Sequence, residues 1–217
     1  MMTEMKKCLK LCKYGYQMKT NIIIGLIFLA LGLVWLFINS GYNSLLGITY
    51  LLLVPLFAVQ ISCSMLFSNM ILSSTMRKTL DRTFPNVVGV LASIFALGMT
   101  YVGLLVNPKM RMGTLADSGN VVIAAGIAIA GVMLYYGASF KFFVGGTIVF
   151  FITYLGIMAG CGILVEAAKP TSLLMGSIIG ILIVVAGNVL GCIIRAAVYK
   201  YSMDPLAGGN SLRKAMK

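Results

Sequence analysis

The 217-residue sequence contains no histidine and only five acids, Glu4, Asp81, Asp117, Glu166 and Asp204. Histidine is the side chain that ordinarily changes charge near neutral pH, and none of the acids is placed to pair with another, so the usual general acid–base couples and Ser/His or Cys/His nucleophile systems are missing. The chain is therefore expected not to be an enzyme, with no catalytic residue, no metal ligand set and no cofactor of its own. Cysteine is also sparse. Cys8, Cys12, Cys63, Cys161 and Cys192 are odd in number and lie in or beside apolar runs, which reads as reduced packing residues rather than a disulfide framework. Charge of either sign is scarce, at 10% of residues where soluble domains carry about 25%.

What is present is apolar sequence. Hydrophobic residues make up 60% of the chain, and a water-soluble fold of this size still exposes roughly 30% of its unfolded surface, so it has no means of hiding so much of it. The fold class expected is all-α, a polytopic membrane protein. Runs long enough to cross a hydrocarbon core of about 30 Å need roughly 17 to 25 residues. Six such transmembrane helices are predicted, near 21–39, 45–68, 87–106, 120–138, 142–165 and 172–195, within one transmembrane domain over 21–199. A basic segment, 1–20, precedes it and a tail, 200–217, follows. The first run lacks a small-residue cleavage site and is expected to stay as an anchor.

The 17 basic residues outnumber the acids enough to give a formal charge of +12, which in a soluble protein would point to nucleic acid. Distributed over six spans, the same residues separate by side. Fourteen fall with the termini and the loops after spans two and four, whereas only Lys109, Arg111 and Lys169 fall on the opposite side. Positive residues favour the cytoplasmic face, so both termini are expected inside a cell membrane, with lipids rather than nucleic acid as the partner of this charge.

Two charged segments carry further information. In 1–20, Met5, Cys8, Cys12 and Tyr16 recur at three- and four-residue spacing while Lys6, Lys7, Lys10 and Lys13 occupy other positions. That pattern predicts an N-terminal amphipathic interfacial helix on the inner leaflet, or else a solvated basic tail that fixes topology. Between spans two and three, Met76, Leu80 and Phe84 recur every four residues among Arg77, Lys78, Asp81 and Arg82, and Pro85 marks re-entry into the membrane. This reads either as a short helix that docks a partner or as a solvated loop.

Polar residues inside spans are the other candidates. Gln60, Ser64 and Ser68 lie at successive four-residue steps with Asn69 beside them, and Asn188 lies in the sixth span. In hydrocarbon such groups line a path or bond neighbouring helices, and both readings stand here. No buried carboxylate or histidine is available to hold a coupling proton, which disfavours proton-driven transport. Gly156/Gly160, Gly176/Gly180 and Gly187/Gly191 are GxxxG pairs, a count close to the chance value of about 2.6 for 24 glycines. Their confinement to the last two spans predicts close packing of those helices.

A basic N-terminal segment, six spans with both ends inside, and a charged segment from Arg77-Lys78-Thr79-Leu80 to Phe84-Pro85 resemble the permease subunits of exporter-class ABC transporters, the ABC type-2 permeases. The resemblance implies a coupling helix that includes Arg77, Lys78, Leu80, Asp81, Arg82 and Phe84, docked on a separate cytoplasmic ATPase that hydrolyses the ATP. It also implies a second permease copy, identical or related, and export of a peptide, lipid or other amphipathic compound along a path that includes Gln60, Ser64, Ser68, Asn69 and Asn188. The alternatives are a substrate-capture subunit like those of energy-coupling-factor uptake systems and a non-transport immunity or assembly protein acting by contact alone.

Overall fold

The computed structural model describes residues 2–11, 18–38, 78–108, 114–136 and 169–198, with shorter stretches inside 47–62 and 152–164. Helix α1 spans Met2–Leu11 and α2 spans Met18–Ile38. Helix α3 spans Phe84–Val106, α4 Gly119–Tyr136 and α5 Leu173–Val198. Among the described residues there is no strand, only an isolated parallel bridge between Ser118 and Thr171. Among the described residues three stretches, Lys19–Ile38, Thr79–Val106 and Leu173–Val198, are long and apolar enough to cross a membrane, and Gly119–Tyr135 is a shorter apolar helix.

Helix α1 is two-sided, with Cys8 buried, Met5 half-buried and Lys6, Lys7 and Lys10 exposed. The positions from Cys12 to Gln17, where the predicted stripe continues, lie outside the described residues.

The start of α3 differs from the sequence expectation of a short helix ended by Pro85. Residues Thr79–Thr83 form a wide π-helical turn that runs directly into α3, the Phe84 N–H donating to the Thr79 carbonyl. Proline is tolerated in the first turn of a helix, where its missing N–H has no partner to lose, and the wider turn before it gives the pyrrolidine ring room. The charged segment and the apolar helix are thereby one continuous rod.

Helix α4 is the centre. Its sequence, GNVVIAAGIAIAGVMLYY, is apolar on every side, and Val121, Val122, Ala125, Ala128, Ile129 and Val132 are almost wholly buried. A helix without a polar face belongs inside a bundle, and its alanines and glycines let neighbours come close. Helices α2, α3 and α5 instead present exposed leucine, isoleucine and valine, among them Ile23, Leu26, Leu91, Ile94, Leu182 and Val185. Outer faces of this kind suit lipid and are too extensive for water.

The closest pairing is α4 with α5, and it is parallel. A methyl built on Gly187 would stand 2.5 Å from the Ala130 Cα, and one on Gly126 or Gly191 would stand 2.9 or 2.7 Å from the Gly180 or Met133 carbonyl oxygen. At the upstream end Gly176 meets the backbone of Gly119, and the Gly119 N–H donates to the Thr171 carbonyl at 2.9 Å. The glycine expectation is corrected here in its partner. The sixth predicted span packs on the fourth, whereas a methyl on Gly156 or Gly160 of the fifth would meet nothing within 4 Å.

Other contacts fix relative direction. Helical residues inside 47–62 run opposite to α2, since Phe57 lies over Gly25 and Leu51 over Gly32. Residues inside 152–164 run opposite to α4, with Ile157 at Gly131, the Cys161 thiol donating to the Ala124 carbonyl at 3.3 Å, and Asn120 reaching the Leu164 carbonyl. The C-terminal ends of α2 and α3 meet, where Gly103 sits against Leu36 and the Asn107 side chain donates to the Leu36 carbonyl at 2.9 Å.

Candidate functional site

The predicted docking segment is described from Lys78 onward; Arg77 lies outside the described residues. Leu80, Asp81 and Phe84 are 0%, 5% and 2% exposed, so they hold the segment against the helices. Lys78 and Thr83 are exposed and offer the outward surface of this end, and the Arg82 backbone lies within the π turn. Burial of Leu80 and Phe84 follows from their four-residue spacing, which puts both on one side of the rod.

Of the predicted path residues, Gln60, Ser64, Ser68 and Asn69 lie outside the described residues. Asn188 is described. It is half-buried in α5, and its Nδ2 donates to the Val184 carbonyl at 2.9 Å and, at a longer 3.4 Å, to Ser93 Oγ on α3. Ser93 in turn donates to the Gly89 carbonyl at 2.7 Å. The same back-bonding occupies Thr100 Oγ1, which donates to the Ala96 carbonyl at 2.9 Å, and Ser62 Oγ, which donates to the Ala58 carbonyl at 2.9 Å. A hydroxyl satisfied by its own helix one turn back is cheap to place in an apolar segment. Asn188 and Ser93 together make an interhelical contact of the kind worth about 0.6 kcal/mol in membranes. Asn188→Leu is accordingly expected to lower stability by about 0.6 kcal/mol, read from the unfolding midpoint in mixed micelles.

One turn beyond Asn188, three helices enclose a narrow crevice. Its walls are Pro85, Asn86 and Gly89 from α3, Met133 from α4, and Asn188, Gly191, Cys192 and Arg195 from α5. At Gly191 the missing side chain lets Met133 of α4 close one wall, where a methyl would stand 2.7 Å from the Met133 carbonyl oxygen. Arg195 is only 7% exposed. It belongs to the stripe Gly176, Gly180, Val184, Gly187, Gly191, Arg195, which faces the bundle. The sequence places Arg195 at a span end, where a long side chain is expected to extend to headgroups or water; instead it turns inward between helices.

Asn86 and Arg195 are the site residues that sequence reasoning missed. The signal was available in the three- and four-residue spacing that continues the glycine stripe to position 195. Chemically the crevice brings a guanidinium together with two carboxamides and a thiol, a set rich in hydrogen-bond donors around a gap of water size. Among the described residues no group of three His, Cys, Asp or Glu comes together. No protein-family model matches the chain, and comparison with curated proteins and with solved structures likewise gives no match.

Proposed function

We propose that this chain is the permease subunit of an ATP-driven transporter, with six membrane crossings, both ends cytoplasmic, and a separate ATPase docked on the segment from Arg77 to Phe84. One observation carries the reading. The exposed Lys78 and the turn after it are continuous with α3, so force applied at the charged end passes into a helix packed on α4 and α5. A flexible loop would dissipate that force. Alternating directions in successive helical segments support six crossings, and the apolar outer faces support lipid around them. A second copy of the permease, or a related one, completes the translocation unit, and the apolar walls suit an amphipathic peptide or lipid as exported cargo.

The test is co-purification of the full chain with co-expressed candidate ATPase subunits that carry no membrane span of their own. Reversing charge at Arg77, Lys78 and Arg82 together is expected to weaken association at least about ten-fold, since each loses attraction and gains repulsion. ATP-dependent transport in vesicles should fall with it. Unchanged association after the triple reversal would sink the docking assignment.

A further inference from the structure

We propose that Asp81 and Arg195 form a buried ion pair that latches the charged turn before α3 to the end of α5 and holds the crevice beside it closed. The proposal rests on how the helices pack and not on the chain being a transporter, so its test stands apart from that of the docking assignment. Among the described residues, Asp81 and Arg195 are the charged side chains that are buried, at 5% and 7% exposure, and every other charged one is exposed. They are opposite in sign. Each has an interaction within the chain, and the turn that carries Asp81 packs on the helix that carries Arg195.

Register along the rod brings the two to one level. Pro85 and Arg195 both line the crevice, and Asp81 lies four residues before Pro85, one turn back on the same face. A carboxylate taken out of water needs a counter-charge and a guanidinium needs acceptors, so each meets the other's requirement. Asp81 is also the single acid of the charged segment, and its burial takes it out of the outward surface that Lys78 presents. A buried pair of this kind adds little net stability over an apolar pair, but losing one member is costly because the other charge stays buried. That asymmetry makes a latch with two states. Either the turn sits on α5 with both charges met, or it leaves with both charges in water.

The chain carries its own reporters of the two states. Cys192 is a half-buried free thiol in the crevice wall, three residues before Arg195. Cys161 is a half-buried free thiol held elsewhere, against the Ala124 carbonyl of α4. Full-length protein in lipid nanodiscs is labelled with N-ethylmaleimide, and modification of each cysteine is followed by peptide mass spectrometry. The readout is the Cys192 rate relative to Cys161, which separates local opening from general loosening of the bundle. Asp81→Asn and Arg195→Gln are each expected to raise this ratio at least about ten-fold. The double variant leaves no charge buried, so its ratio should fall below that of either single variant, and the exchanged pair Asp81→Arg with Arg195→Asp should return it to within about three-fold of the parent. A ratio in the double variant at or above the larger single effect overturns the latch, as does a parent-like ratio in both single variants. Should a single variant fail to fold, the exchanged pair decides: folding with parent-like labelling supports the latch, and failure to fold or fast labelling overturns it.

Discussion

Gly187→Leu is expected to unfold the α4–α5 pair, with a loss of about 3 kcal/mol or more, because the new side chain has nowhere to go. A Cβ at position 187 would already lie 2.5 Å from both Cα and Cβ of Ala130, so the obstruction is the backbone of the central helix and not a flexible side-chain tip. Relief requires the two helices to separate along much of their length, and the same contact recurs at Gly176, Gly180 and Gly191. In lipid, helices associate through this close packing without help from the hydrophobic effect, since lipid tails are as apolar as the side chains. Separation therefore removes most of what holds the pair together. Gly160→Leu supplies the control, since a methyl there meets nothing within 4 Å, and its unfolding midpoint in mixed micelles should match the parent protein. Equal stability of the two variants would show that the α4–α5 contact is not the one drawn here.

Asn107→Leu is expected to cost about 1 to 2 kcal/mol, read in the same unfolding assay. Asn107 is the C-cap of α3, 7% exposed, and its side-chain amide donates across to the Leu36 carbonyl in the last turn of α2. The last four carbonyls of a helix have no donor within it, and one buried between apolar helices has no water to substitute. Leucine at 107 keeps the branching and the number of side-chain heavy atoms but leaves that carbonyl unsatisfied. Its own backbone N–H, which donates to the Gly103 carbonyl at 2.8 Å, would stay paired. The loss should therefore appear as a loosened junction between α2 and α3, with helix content unchanged, and Asn107→Gln should recover part of it. A second amide does comparable work at the head of α4, where Asn120 Nδ2 donates to the Lys169 carbonyl at 3.1 Å.

Much of this architecture was legible before any coordinates. Helices α2, α4 and α5 fall within a few residues of the predicted runs, because long apolar helices announce themselves by hydropathy summed along the chain. The beginning of α3 was less legible. Pro85 signals a boundary in sequence, yet position alone does not reveal that a π turn precedes it and carries the helix back to Thr79. Among the site residues, Leu80 and Phe84 were selected for their spacing, which correctly places them on one side, but spacing is silent on whether that side faces a partner or the bundle. They are buried, and among the described side chains of the segment Lys78 lies on the outside.

The sequence by itself determined that the chain is helical and apolar beyond what water tolerates, and it located the charged segment before α3, because each of these is a sum or pattern over neighbouring residues. The tertiary structure alone decided which surfaces meet. Gly156/Gly160 and Gly187/Gly191 are the same motif in sequence, yet one pair faces open space and the other the backbone of α4, since a glycine's role depends on which distant helix arrives beside it. Likewise an arginine near a helix end looks the same whether it reaches outward or inward. The register that aligns Arg195 with the glycine stripe turns its charge into the crevice, and that register has meaning only once α3 and α4 are packed against it.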